Sequence, residues 1–86
     1  MSVIHIVSRP GALESCLRAV RPEDTVLLIQ DGIYALGHVG LANVQANALQ
    51  PDARARGVTL PKGVVSCDYA GFAALVVAHD TSVSWS

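Results

Sequence analysis

The sequence predicts a three-layer α/β domain with four or five mostly parallel strands and helices on both faces of the sheet. Short β-branched runs alternate along the chain with patterns of helical period. The first two runs, Val3–Val7 and Thr25–Ile29, are mostly apolar on consecutive positions, which is typical of strands covered on both faces. A chain of 86 residues has room for one core, so we expect residues 1–86 to form a single domain.

A helix is predicted between these two runs, which gives a right-handed βαβ unit with parallel strands. Pro10 suits the first turn of this helix, Ser8 is a candidate cap just upstream, and Pro22 ends the helix. The buried stripe of the helix has the spacing i, i+3, i+4 and i+7 and is formed by Leu13, Cys16, Leu17 and Val20.

The middle of the chain predicts shorter elements. Asp31 is placed to cap a short helix after the second strand. Val44–Leu49 is a weaker strand because it contains small and polar residues, and we expect it at an edge of the sheet or with a poorly covered face. Asp52–Arg56 forms one helical turn, which Gly57 closes in the left-handed conformation that glycine adopts most easily.

The last part of the chain predicts a strand, a helix and a final strand. The fourth strand is Gly63–Cys67, Asp68 caps the helix that follows, and Ser82–Trp85 adds a last short strand. In a parallel sheet of this kind, functional groups collect beyond the carboxyl ends of the strands. The apolar face of the predicted helix carries Phe72, Leu75, Val76 and His79.

The composition is apolar for a small domain. Hydrophobic residues make up 51% of the chain and charged residues only 15%, against about 25% in an average soluble domain. Because so small a domain needs polar surface, we expect part of its exterior to be apolar and covered by a partner. An abundance of small side chains, each of which exposes little area, is the alternative. The formal net charge of -1 argues against direct binding to nucleic acid.

The chain shows no pattern of a membrane protein or of a secreted protein. Its longest apolar run is Ala73–Ala78, whereas a membrane span needs about 18 apolar residues. The amino-terminal segment lacks the basic region of a signal peptide. Two cysteines cannot form a disulfide framework, so we expect a reducing, cytoplasmic location.

The sequence lacks the usual motifs for a cofactor or a metal ion. Neither G-x-G-x-x-G nor G-x-x-x-x-G-K-[ST] occurs, and the histidines do not have zinc-ligand spacing, so we expect no cofactor and no metal. We predict that His5 is a hydrogen-bonded core residue, that His79 caps the end of a helix and that His38 is exposed.

The two cysteines are the remaining candidates for chemistry. Cys67 lies at the carboxyl end of a strand and just before a helix, where free N–H groups favour a thiolate, whereas the neighbouring Asp68 opposes one. Cys16 lies on a helical stripe that is typical of small buried hydrophobic residues. On the residues alone, Cys67 is slightly the better candidate for a reactive thiol, and burial is the alternative for both.

Several short motifs follow one another in an order that covers nearly the whole chain. In chain order they are His5–Arg9, Leu13–Leu17, Leu27–Ala35, Asp52–Gly57, Asp68–Phe72, His79–Asp80 and Trp85. Together they resemble the DsrH/TusB family, the small subunits of the DsrEFH and TusBCD sulfur-relay complexes. The chain departs from this pattern in a degraded strand at Gln45–Leu49, in a short segment at His38–Asn43, and at Cys67, where the family usually has an aliphatic residue.

This resemblance implies a DsrE-like, flavodoxin-like fold and a heterohexamer with two copies each of three homologous subunits. The implied partners are DsrE/TusD-like and DsrF/TusC-like subunits. Persulfide sulfur would pass to a DsrC/TusE-like carrier, for 2-thiolation of the tRNA wobble uridine or for dissimilatory sulfur oxidation. Cys16 matches the cysteine that DsrH-type members retain, which makes it the candidate persulfide carrier. Since the principal sulfur acceptor belongs to the DsrE or TusD subunit, the resemblance implies an auxiliary or structural subunit.

Two other functions stay open at this point. The chain could be a standalone homo-oligomeric binding or scaffold domain without sulfur chemistry. It could also be a self-sufficient sulfurtransferase, for which a single cysteine on a core stripe is a poor nucleophile. Cys67 has no role in the family, and we expect it to be dispensable for sulfur relay.

A subunit contact is predicted just after the second strand. Tyr34 combines a large apolar body with a polar tip, which suits an interface. Helix capping and core packing are the alternative explanation of this segment. The predicted contact residues are Asp31, Gly32, Ile33 and Tyr34.

Overall fold

The computed structural model describes residues 1–86 and contains one sheet of five strands in the order β4-β3-β2-β1-β5. All neighbouring strands pair in parallel, with Ile4 opposite Thr25 across β1 and β2 and Val7 opposite Trp85 across β1 and β5. The predicted α/β fold with mostly parallel strands is confirmed. The strands are β1 (Val3–Val7), β2 (Thr25–Leu28), β3 (Gln45–Leu49), β4 (Val65–Cys67) and β5 (Thr81–Trp85).

The strand order divides the connections between the two faces of the sheet. The steps from β1 to β4 all run in one direction, so right-handed crossovers place their connecting segments on one face. The return from β4 to β5 runs the other way and places a single helix, α3 (Tyr69–Ala78), on the opposite face. We call these the α1 face and the α3 face. The segments on the α1 face are α1 (Leu13–Ala19), α2 (Gln50–Ala55) and the 3-10 helices Pro10–Ala12, Gln30–Ala35 and Val39–Asn43.

The main core lies on the α1 face. Leu13 and Cys16 of the predicted helical stripe are buried, and Leu17 and Val20 pack against the same cluster. The prediction that Ser8 caps this helix is wrong. A 3-10 turn precedes α1, and the Ser8 hydroxyl instead donates to the carbonyl of Trp85. The sheet contributes Val7, Val26, Leu28, Ala46 and Ala48 to this core.

The α3 face has a thinner cover. Ile4 and Leu27 are fully buried beneath the helix, but no residue of α3 is itself buried. Phe72 and Leu75 are half-buried and face the sheet, as predicted. Val76 was also predicted on this apolar face, but it is 37% exposed, because it lies a quarter-turn beyond Leu75 around the helix.

The middle of the chain confirms one prediction and contradicts another. The weak strand β3 pairs with β2 and β4, so it is not an edge strand. The alternative, a poorly covered face, is confirmed, because Gln45 is exposed and Asn47 is only partly buried. Asp31 does not cap a helix. The backbone turns at Gln30, which has a φ of 49°. The 3-10 helix begins at Gln30, two residues earlier than a cap at Asp31 requires, so Asp31 lies inside it.

The two caps predicted later in the chain are confirmed. Gly57 follows α2 with a φ of 65°, the left-handed conformation. The Asp68 carboxylate accepts a hydrogen bond of 2.7 Å from the backbone N–H of Gly71 and caps α3. None of the helices has the length and apolar character that crossing a membrane requires.

Candidate interaction surface and cysteine positions

The outward side of helix α3 is an uncovered apolar surface. All ten residues of the helix are uncharged, and its exposed side chains include Tyr69, which is 62% exposed, and Val77, which is 85% exposed. A stripe of this kind on an isolated surface helix is typical of a protein–protein contact. We call this surface the α3 patch; its members are Tyr69, Ala70, Ala73, Ala74, Val76 and Val77.

Hydrogen bonds fix both ends of α3, and the bond at its carboxyl end joins the helix to the sheet. Asp68 caps its first turn, and His79 lies at its last. The Nδ1–H of His79 donates to the carbonyl of Leu75 over 2.6 Å, so its Nε2 is free to accept the hydroxyl hydrogen of Thr25 on β2 over 2.8 Å. The predicted capping role of His79 is confirmed. The patch is therefore presented on a fixed helix.

Cys16 lies in the core of the α1 face and has no exposed surface. Burial raises the pKa of its thiol to about 11, so the sulfur is protonated at neutral pH. In the free chain Cys16 therefore packs as a small hydrophobic residue. A persulfide on Cys16 stays a prediction.

Cys67 ends strand β4 and is partly exposed. Burial, followed by the nearby Asp68 carboxylate, raises the pKa of its thiol. The acidic neighbour therefore acts in the direction expected from the sequence, and burial adds to it. Cys67 is thus the more accessible of the two thiols without being an activated one.

The predicted contact segment after β2 is divided between core and surface. Gly32 and Ile33 are buried, whereas Asp31 and Tyr34 are exposed, Tyr34 to 58%. Tyr34 borders a shallow cleft whose other lining residues are Ile33, Leu36, Gly37, Val58, Thr59 and Pro61. The role of these four residues in a subunit contact stays a prediction, and only the two exposed ones present a side chain to a partner.

A polar cluster that the sequence did not predict joins two of the quoted motifs at the carboxyl ends of β2 and β3. The backbone N–H of Gln30 donates to the Asp52 carboxylate over 2.7 Å. The Arg56 guanidinium donates to Asp31 over 3.1 Å and to the carbonyl of Asp52 over 3.3 Å. The sequence did contain a signal for this cluster, because the motifs Leu27–Ala35 and Asp52–Gly57 each run past the end of a strand and these two strands are neighbours in the sheet. The cluster fixes the turn at Gln30.

A chain of buried and partly buried hydrogen bonds joins β5 to β1 and to Asp24, just before β2. Trp85 Nε1–H can only donate, so His5 accepts at Nδ1 over 3.1 Å and donates from Nε2 to Asp24 over 3.0 Å. The prediction that His5 is a hydrogen-bonded core residue is confirmed, and the role of Asp24 was not predicted. His38 is exposed, as expected, and accepts from the N–H of Gly40.

Asp24 is almost completely buried and accepts more than one hydrogen bond. Its carboxylate also receives the backbone N–H groups of Val3 and Arg21, each over 3.0 Å. Burial opposes its charge, but the hydrogen bonds from His5, Arg21 and Val3, together with the Arg21 guanidinium, hold the pKa of Asp24 at about 2. This ionised carboxylate is part of the buried interior.

The fold and these sites define a parallel-sheet α/β protein whose cysteines are not activated and whose one helix on the α3 face is uncovered. Residues 8–82 match the DsrH family, described as DsrH like protein. The chain belongs to the DsrH family, which confirms the resemblance noted in the sequence.

The chain is also similar to proteins named Protein TusB. The one from Pectobacterium parmentieri is 35% identical over 82 residues, which cover 85% of this chain and 86% of the relative. The one from Escherichia coli O81 (strain ED1a) is 33% identical over 78 residues, or 80% of this chain and 82% of the relative. The one from Shigella boydii serotype 18 is 32% identical over 78 residues, which again cover 80% of this chain and 82% of the relative.

Proposed function

We propose that this chain is an auxiliary subunit of a cytoplasmic, multi-subunit sulfur-relay complex that passes persulfide sulfur towards a DsrC/TusE-like carrier. The match of residues 8–82 to the DsrH family carries the proposal. The uncovered α3 patch supports it, because a helix without charge on a small domain is better hidden in an assembly. The protonated, sequestered Cys16 agrees with an auxiliary role.

The chemistry of the relay needs an accessible thiolate. A carrier thiolate attacks the outer sulfur of a donor persulfide and forms a new S–S bond. The S–S bond of the donor breaks, the donor cysteine leaves as a thiolate, and the proton of the persulfide travels with the transferred sulfur. Since the Cys16 thiol is buried and has a raised pKa, a partner subunit supplies the principal accepting cysteine in this proposal.

Co-expression with homologous DsrE/TusD-like and DsrF/TusC-like subunits from the same organism tests the proposal. The three chains are expected to elute together through an affinity tag on this chain, and the assembly is expected to carry labile sulfur. Deletion of the gene is expected to abolish either 2-thiouridine in tRNA or growth on reduced sulfur, which separates the two pathways. A chain that elutes alone, or only as a homo-oligomer, would contradict the proposal.

The persulfide prediction for Cys16 uses the same assembly. After loading with a sulfane-sulfur donor, the peptide that contains Cys16 is expected to gain the mass of one sulfur atom. This result requires that contact with a partner expose the thiol, which is buried in the free chain. The Cys67→Ser chain is the matched control and should assemble and carry sulfur normally. If Cys16 stays unmodified while a partner cysteine carries sulfur, Cys16 takes no part in the relay and has only a packing role.

A further inference from the structure

His5 is a buried titratable residue whose two ring nitrogens both form hydrogen bonds. It lies on β1, is 3% exposed, and accepts at Nδ1 from the indole N–H of Trp85 over 3.1 Å. Its Nε2–H donates to the Asp24 carboxylate over 3.0 Å. The two contacts together require the neutral ring, because the indole N–H can only donate and the ionised carboxylate can only accept. The charge state of His5 is therefore tied to the position of Trp85.

Protonation of His5 keeps one of these contacts and breaks the other. The proton can enter only at Nδ1, since Nε2 already carries one, and the bond from Nε2 to Asp24 then gains the attraction of opposite charges. At Nδ1 the new N–H would face the indole N–H of Trp85, so two donors would meet without an acceptor. The charged ring therefore stays beside Asp24, and the indole has to leave.

The charges around His5 are compatible with this change. Hydrogen bonds hold the pKa of Asp24 at about 2, so its carboxylate stays ionised in mildly acidic solution and can pair with a charged His5. The Arg21 guanidinium lies 3.7 Å from the same carboxylate and opposes a second positive charge. Strand β5 contains no titratable side chain. The titratable residues on the neighbouring segments that form neither a hydrogen bond nor an ion pair with His5 are Glu14, Cys16, Arg18, Glu23, His79 and Asp80.

Trp85 can move without the sheet coming apart. It is the last residue of β5, an edge strand that pairs with β1 alone, and its partly exposed ring packs against the core of the α1 face. The backbone N–H of Ser8 donates to the carbonyl of Trp85 over 3.1 Å, which holds the end of the strand when the ring turns outward. Release of the indole is thus a local change at one end of β5.

We propose that His5 is a pH-sensitive latch: its neutral ring holds the indole of Trp85 against the core, and its protonation releases the indole into solvent. Histidine is the side chain that most readily changes charge between about pH 5 and about pH 8. The latch is a property of the free chain and does not depend on sulfur relay.

Trp85 is the single tryptophan of the chain, so its fluorescence reports the latch directly. As the pH falls from about 8 to about 5, the emission maximum is expected to shift to longer wavelength while the circular dichroism of the backbone stays constant. His5→Gln is expected to abolish this shift, because its amide can accept from Trp85 and donate to Asp24 but takes up no proton in this range. His38→Gln is the matched control and should keep the full shift, since His38 is exposed and bonds to Gly40.

Nuclear magnetic resonance of the wild-type chain provides a second readout that does not require His5→Gln to fold. The ring signals of His5 and the indole N–H signal of Trp85 are expected to change together over the same pH interval. The inference is overturned if the emission of wild type does not move, if it moves only with loss of the circular dichroism signal, or if folded His5→Gln retains the shift. Loss of the shift in His38→Gln, or protonation of His5 with a fixed indole signal, would overturn it equally.

Discussion

Replacement of Gly32 by alanine is expected to lower the free energy of unfolding by about 3 kcal/mol or more, a large fraction of the stability of a small domain. A Cβ atom at this position would lie 2.1 Å from the carbonyl oxygen of Val7 and 2.9 Å from its carbonyl carbon. Both atoms are backbone of strand β1, which lies between β2 and β5 inside the sheet. The same oxygen accepts the N–H of Ile29, so a shift that relieves the clash breaks this hydrogen bond.

Gly37→Ala provides the control for this prediction. An added Cβ at Gly37 would meet no atom within 4 Å, and the backbone there is not left-handed. The variant is expected to be as stable as wild type or about 0.5 kcal/mol more stable, because alanine restricts the unfolded chain. Urea unfolding of the two variants measures the difference. Equal stability would show that the segment after β2 does not press against β1 as described.

Replacement of Asp24 by alanine is expected to cost about 3 kcal/mol. The change leaves three donors without an acceptor: the buried N–H of Val3, the buried Nε2–H of His5 and the partly buried N–H of Arg21. Each such loss costs about 1 kcal/mol or more. Glu23→Ala is the control, since Glu23 is half-exposed and its carboxylate lies 3.9 Å from Arg21. Its effect should stay within about 0.5 kcal/mol. Equal effects in urea unfolding would contradict the role assigned to Asp24.

Asp24 also predicts how stability depends on pH. Its pKa is about 2 in the folded chain, against about 3.9 when unfolded, so the folded state favours the ionised form. This contribution of about 2.5 kcal/mol is complete above about pH 5 and is lost progressively as the pH falls through the folded pKa of about 2 towards about pH 1. Wild type should therefore lose more stability over this range than Asp24→Ala. If the free energies of unfolding of the two proteins fell in parallel with pH, Asp24 would not be the source of the pH dependence.

Local patterns in the sequence were enough to predict most of the fold. The stripe through Leu13 and Cys16 and the two caps at Gly57 and Asp68 depend on neighbours a few residues away, and the structure contains all of them. The role of Asp24 could not be predicted in this way. It accepts from residues at the start of the chain and connects through His5 to Trp85, and these contacts exist only once the sheet has formed.

The surface was predicted less completely than the fold. The low charge indicated a covered exterior, but helix α3 is apolar on all sides, so periodicity could not separate the residues facing the sheet from those facing outward. Val76 was misplaced for this reason. For Cys16, the helical stripe correctly predicted burial. A role in sulfur chemistry was suggested only by the motif around Cys16, and such a role depends on a partner.

Amide hydrogen exchange of the chain, alone and within the purified three-subunit assembly, tests the central claim most directly. We expect the amides of α3, and those of β4 beside it, to exchange more slowly in the assembly, because a docked partner suppresses local opening of a helix that the free chain barely buries. The amides of the 3-10 helix Val39–Asn43, on the α1 face, should exchange at the same rate in both samples. Unchanged exchange in α3, with protection confined to the α1 face, would contradict the account.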